Sequence, residues 1–373
     1  MPLHDTRGAA SATGFGFGAS TGGPDWSKYA MIPYNVADSN PNKIGFLNVA
    51  TNTVDYDVSM PTTARNCVMR MGNYLVVGRE CSFWVIDIRT NSIVQSQTTP
   101  FGSQETGDFF KFGEDKFGIM TKIGMDFHIV TLKINPNGTT TQIAFNPTVA
   151  SWGSGSGFDS PQGAAIVTCD AKGMFQSFSG RVAFRSIYSY VGGNTVTVNG
   201  NVSISADGTS ISLFNSANSG DNFSRPSACS GNGRAIIYDM DHNSYYISTG
   251  IQSTMTGFTA TGSGTPTNFR GCGITQSSAF FLLGFDGASS GYIRRMDAGG
   301  GTSPLGFSVL ANTFYGTMQM YGDGAFFAYN APSGTAVYRT YSNITDTFSS
   351  EIVPSGINGY VNKSGTVYGT YNY

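Results

Sequence analysis

Charge is scarce in this sequence: 21 Lys+Arg face 23 Asp+Glu over 373 residues, a formal charge of −2, and only 12% of the chain is charged. An ordinary globular chain has roughly 25%. Nucleic-acid binders draw most of their affinity from neutralised phosphates, and no basic surplus or Lys/Arg cluster is present, so DNA and RNA are not expected partners. Long apolar runs are lacking as well. None approaches the ~18 residues of a membrane span, and residues 1–28 hold no continuous apolar stretch of the secretory-signal kind; the expectation is a chain without a span or leader.

Catalytic side chains are equally thin. His4, His128 and His242 are the only histidines, and a nucleophile needs a base beside it. The five cysteines, Cys67, Cys81, Cys169, Cys229 and Cys272, are odd in number and widely scattered, which suits neither a disulfide framework nor a zinc site. They read as reduced packing residues. Cys67, Cys229 and Cys272 recur at similar places in three units, where a small apolar residue fits crowded strands. Two near-motifs read as turns. Ser205-Ala206-Asp207-Gly208-Thr209-Ser210 approaches a glycosidase Asp box but has its Gly one place early and no aromatic. Asp239-Met240-Asp241-His242-Asn243-Ser244 opens like a calcium loop but has Ser for the turn Gly and no closing Glu. No catalytic, cofactor-binding or metal-binding residue is assigned, and no enzyme activity is expected.

What is abundant is glycine, 49 residues, and aromatics, 27 Phe, 19 Tyr and three Trp. Short strands joined by tight turns have this texture. Residues 1–28 stand apart. They are small almost throughout, with apolar bulk only at Leu3, Phe15, Phe17 and Trp26, too little to offset their own ordering entropy. They read as an extended arm that docks on a partner through Phe15, Phe17 and Trp26. From Tyr29 to the C-terminus, runs of four to eight apolar residues alternate with Gly, Asn-Gly and Pro, and no stretch holds a helical period.

The body repeats. Ile44–Val54 aligns with Trp84–Ile93 at an offset of 39 residues, placing Asn48 on Asp87, Thr51 on Thr90 and Asn52 on Asn91. In each copy an apolar strand ends at an acid or amide, a Thr-Asn turn follows, and a β-branched strand begins. Looser copies open at 108–113, 165–169, 227–231, 270–274, 316–322 and 359–365. Units of 40 to 60 residues with four strands are those of β-propeller blades. A ring buries both faces of every small sheet and leaves few edges. Seven blades are expected over 29–373, with six as the alternative, the ring closing by pairing of N- and C-terminal strands. The loop Ala150–Asp159 carries Trp152 and Phe158 amid Gly and Ser, a pattern suited to surface contact with a partner or a glycan.

Val85-Ile86-Asp87-Ile88-Arg89-Thr90-Asn91-Ser92-Ile93-Val94 resembles the repeat of surface-layer-type (YVTN-like) propellers. This implies the fold and leaves activity open. Ala9-Ala10-Ser11-Ala12-Thr13-Gly14-Phe15-Gly16-Phe17-Gly18 resembles an opening found near the start of tailed-phage virion proteins, tail and fibre components especially. The resemblance implies a structural, assembly or host-contact role in a virion, other virion proteins as partners of the arm, and a host surface glycan as a further ligand. A glycan-binding or glycan-cleaving propeller is the competing expectation.

Overall fold

In a computed structural model the protein is described over residues 23–361, apart from connecting segments of which the longest are 152–163 and 169–180. Among the described residues a single 3-10 turn, Trp26–Lys28, precedes strands only. The first sheet contains β1 (Tyr29–Val36), β2 (Ser39–Asn48) and β3 (Thr53–Ser59). The second is β4 (Cys67–Met71), β5 (Tyr74–Arg79), β6 (Ser82–Asp87) and β7 (Ser92–Thr98), and the third β8 (Thr106–Lys111), β9 (Lys116–Ile123), β10 (Asp126–Ile134) and β11 (Thr140–Ser151). The fourth is β12 (Ala164–Thr168), β13 (Arg181–Val191), β14 (Asn194–Ile204) and β15 (Ile211–Ser219). The fifth is β16 (Ser227–Gly231), β17 (Arg234–Asp239), β18 (Ser244–Ser248) and β19 (Thr256–Thr259). The sixth is β20 (Asn268–Ile274), β21 (Phe281–Asp286), β22 (Ser290–Met296) and β23 (Thr302–Leu310). The seventh is β24 (Gly316–Tyr321), β25 (Gly324–Asn330), β26 (Ala336–Ser342) and β27 (Thr347–Phe348). A last described strand, β28 (Gly359–Val361), returns to the first sheet and pairs antiparallel with β1, giving the order β28-β1-β2-β3.

Sheets two to seven are antiparallel meanders whose strands pair in sequence order. Their opening strands stand side by side in a series, β4 by β8, β8 by β12, β12 by β16, β16 by β20 and β20 by β24, and β24 touches β1. The strands that open sheets two, five and six carry Cys67, Cys229 and Cys272.

Each sheet near the N-terminus buries both faces, because successive side chains of a strand point to opposite sides. In β5, Leu75 and Val77 pack toward the first sheet with Ile44 and Phe46, while Tyr74 and Val76 pack toward the third with Phe117 and Val130. In β1, Met31 joins the interface with the second sheet; Ala30, Ile32 and Tyr34 join Phe326, Ala328 and Tyr338 of the seventh. Burial on both sides explains why such strands read as unbroken apolar runs such as Tyr74-Leu75-Val76-Val77. Fully burying one such side chain contributes roughly 1.5–3 kcal/mol.

The 39-residue repeat is reproduced in detail. Asn52 and Asn91 are the two non-glycine residues with positive φ among those described, at 58° and 51°. Asn tolerates this region better than most residues. Asn48 Oδ1 accepts from Ala50 N and Asp87 Oδ1 from Arg89 N; Thr51 bonds Thr53 as Thr90 bonds Ser92, at 2.7 Å in both cases. The bulges coincide too, at Phe46/Leu47 and Val85/Ile86.

Candidate functional site

Residues 23–28 lead into the first sheet and bring several polar and aromatic side chains together there. Asp25 caps the 3-10 turn, its Oδ1 accepting from Ser27 N and Oγ. Trp26 then inserts between the first and second sheets. Its ring lies 5.3 Å from Phe46 and Tyr56 and 5.4 Å from Tyr29, and its Nε1 donates to Asn73 Oδ1 at 2.9 Å. The Arg70 guanidinium stands 5.9 Å over the same ring, and burial lowers its pKa to about 10. Trp26 is only 7% exposed. Its expected role in docking a partner is therefore corrected: the ring is spent on the body's own core, so residues 23–28 belong structurally with the sheets.

Beside this anchor, Asp55 gathers three donors. Thr53 Oγ1 reaches Oδ1 at 2.8 Å, and Tyr29 OH and Asn48 Nδ2 reach Oδ2 at 3.0 and 3.2 Å. The Thr53 hydroxyl leads in holding this carboxyl below its ordinary range, and burial together with the Asp55 acceptor pushes the Tyr29 phenol up to about 12. A carboxylate so supplied with donors is a weak base and holds a turn. The other described acids have similar duties. Asp57 Oδ2 takes Tyr34 OH at 2.9 Å and Lys43 Nζ at 2.7 Å; Glu351 takes Tyr329 OH, which itself accepts from Arg339 Nε; Asp87 forms a two-pronged pair with Arg89. Among the described residues no three His, Cys, Asp or Glu side chains cluster as metal ligands would.

In the first four sheets, the turn joining third and fourth strands also fastens the sheet to the one before it. Asn91 Oδ1 of the second sheet accepts from Ser59 N at the end of β3. In the third sheet, Pro136 O accepts from Tyr74 OH at 2.7 Å and Thr140 bonds Gln95 of β7. In the fourth, Gly208 O accepts from the buried Thr131 Oγ1 of β10 at 2.7 Å. The first sheet completes the pattern, Asn52 Nδ2 donating to Val353 O beyond the seventh sheet. The Asp207-Gly208-Thr209 segment is thus a hairpin turn, with Gly208 at φ 82° and Thr209 bonded to Asp207.

Phe15, Phe17, Trp152 and Phe158 lie outside the described residues. The clamping turns were not singled out as functional in sequence. Their one local signal is the amide or hydroxyl at each turn, whose partner lies a whole sheet away.

The architecture is that of a β-propeller, and comparison with solved structures agrees. The chain is similar to a protein from Lactobacillus plantarum (11% identity, 88% of this chain and 96% of that one, TM-score 0.56). It is also similar to a provisionally assigned 6-phosphogluconolactonase from Bacteroides uniformis (11%, 88% and 97%, 0.55). A third is the β-propeller domain of Myceliophteria thermophila Cps50 (Swd1) (9%, 85% and 94%, 0.53). At such identities the likeness establishes the fold alone. No family model matches the chain, and no curated protein matches it in sequence.

Proposed function

We propose that the chain is a seven-bladed propeller, closed by β28 on β1, that serves a phage virion as a non-enzymatic structural, assembly or host-contact component. Attachment runs through residues N-terminal to Trp26. The observation that carries this reading is the Trp26 anchor: a core tryptophan, hydrogen-bonded to Asn73, gives the Gly/Ala/Phe-rich segment before it a fixed origin on the folded body. A segment bearing Phe15 and Phe17 between glycines suits close backbone approach to a partner, both rings lying on one side when extended. The acids at this end support the non-enzymatic part, since Asp55, Asp57 and Asp87 are engaged in holding turns and strands.

The test is a map of the assembled particle with the protein labelled at its C-terminus. A disc of propeller size bound to the tail or another virion site supports the reading; purified particles free of the protein contradict it.

A further inference from the structure

The closing strand begins at an Asn-Gly pair, Asn358-Gly359, and its backbone geometry leaves that pair chemically exposed. Of the three other Asn-Gly pairs, Asn232-Gly233 lies outside the described residues and the remaining two provide the comparison. At Asn137-Gly138 the Gly138 N–H donates to Asn135 O at 2.8 Å, and Asn137 Oδ1 accepts from both Thr139 N and Thr139 Oγ1. Nucleophile and electrophile are both held. Asn199-Gly200 lies inside β14, with Arg185 and Phe184 opposite on one side and Ala217 and Ser216 on the other. Neither pair has the freedom to close a five-membered ring.

Asn358 differs. It is exposed and lies in the irregular stretch just before β28, outside any strand. The direction of the Gly359 N–H follows from its neighbour. Val361 uses both its N–H and its carbonyl on the Asn330 side chain, at 2.6 and 3.0 Å. In an antiparallel pair the two polar groups of one residue face the same edge, and the direction alternates along the strand. Tyr360 therefore exchanges bonds with Asn35, while Gly359, like Val361, faces away from β1.

We propose that Asn358 is a site of spontaneous deamidation and isoaspartate formation. The Gly359 nitrogen, giving its proton to solvent, attacks Asn358 Cγ; a C–N bond forms and ammonia leaves. Water then opens the succinimide at either carbonyl. Opening at the former main-chain carbonyl routes the backbone through Cγ and lengthens it by one carbon, immediately before a strand whose register is fixed at Val36↔Gly359. Ile357 and Val361, on either side of the pair, both belong to the core shared by the first and seventh sheets. The added carbon pulls one of them from its place, so the modification loosens the junction between chain ends.

The full chain is incubated folded at mildly alkaline pH, and peptides are followed by mass for amide-to-acid conversion and by isoaspartyl methyltransferase labelling. The peptide with Asn358 converts several-fold faster than those with Asn137 or Asn199; in denaturant the three converge, and Gly359→Ala slows conversion at Asn358. Equal or faster conversion at Asn137 or Asn199 in the folded protein overturns the proposal. The aged protein melts below fresh protein, whereas Asn358→Asp, which adds the charge without the extra carbon, melts with the fresh protein. An Asn358→Asp variant melting with the aged protein refutes the backbone route.

Discussion

Asn330, at the end of β25, binds the main chain of Val361 twice: its Nδ2 donates to the carbonyl at 3.0 Å and its Oδ1 accepts from the N–H at 2.6 Å. The side chain thus acts as a one-residue strand edge, satisfying a closing strand that β1 holds from the other side. Val361 is fully buried. Leaving a buried backbone donor or acceptor without a partner costs about 1–3 kcal/mol each, so Asn330→Leu should destabilise by about 2–6 kcal/mol. Denaturant unfolding with an unchanged slope provides the measurement. Deleting residues 359–373 removes the whole strand and should cause aggregation or loss of cooperative melting.

Two glycines of positive φ separate steric from conformational cost. Gly138 (φ 84°) sits against the neighbouring sheet, where an added Cβ would meet Tyr74 Cε1 at 2.6 Å and Val94 Cγ1 at 2.9 Å. Gly72 (φ 58°) has nothing within 4 Å. The left-handed conformation alone costs a non-glycine residue roughly 1–2 kcal/mol. Gly72→Ala should lose about that amount, and Gly138→Ala about 2 kcal/mol more, since overpacking typically costs about 1–3 kcal/mol. Equal losses in parallel melts would mean that the turn of the third sheet does not press on the second.

Stability should fall at both ends of the pH scale for identifiable reasons. The Arg89 side chain leads in holding Asp87 below its ordinary value of 3.8. A depressed carboxyl stabilises the fold above its unfolded pKa, and that share is lost as pH falls through the folded value. Asp87→Asn should lower stability at neutral pH and flatten the acid limb. Tyr29 works in the opposite sense. Burial and Asp55 raise it from 10.0 to about 12, so its contribution is whole below about 10 and disappears as pH rises through the folded value. Tyr29→Phe should flatten the alkaline limb, read from unfolding free energies across pH.

Much of this fold was legible in local pattern, because the pattern is where its causes lie. The match of Asn48-Ala50-Thr51-Asn52 to Asp87-Arg89-Thr90-Asn91 reflects a turn whose hydrogen bonds span two residues, so sequence alone carries it. The expected strand openings near 108, 165, 227, 270, 316 and 359 all fall in the strands that open sheets or complete the first one. Trp26 was misread for the converse reason. Its segment is poor in apolar residues, which suggests an arm, but what buries the ring is Asn73 and Phe46, 47 and 20 positions away, brought near only by two sheets packing together. The Asn330 clamp was invisible likewise: an amide at a strand end looks like any turn residue until a strand 31 positions later lies beside it.

A non-enzymatic body should leave a broad panel of polysaccharides and glycosides intact, together with the phosphorylated sugar lactone suggested by the name of one structural neighbour. Reproducible turnover abolished by changing a single Asp or Glu would overturn that part of the proposal.

Phe15 and Phe17 bear most directly on the virion role. Burying two Phe rings contributes roughly 3–6 kcal/mol before ordering costs, enough to govern attachment when many copies engage at once. The decisive measurement is the protein content of purified particles assembled with Phe15→Ala and Phe17→Ala together, beside a melting curve of the free variant. The expected result is an unchanged melt, because Trp26 and the sheets are untouched, with the protein missing from particles. Normal incorporation with a normal melt would contradict attachment through the arm.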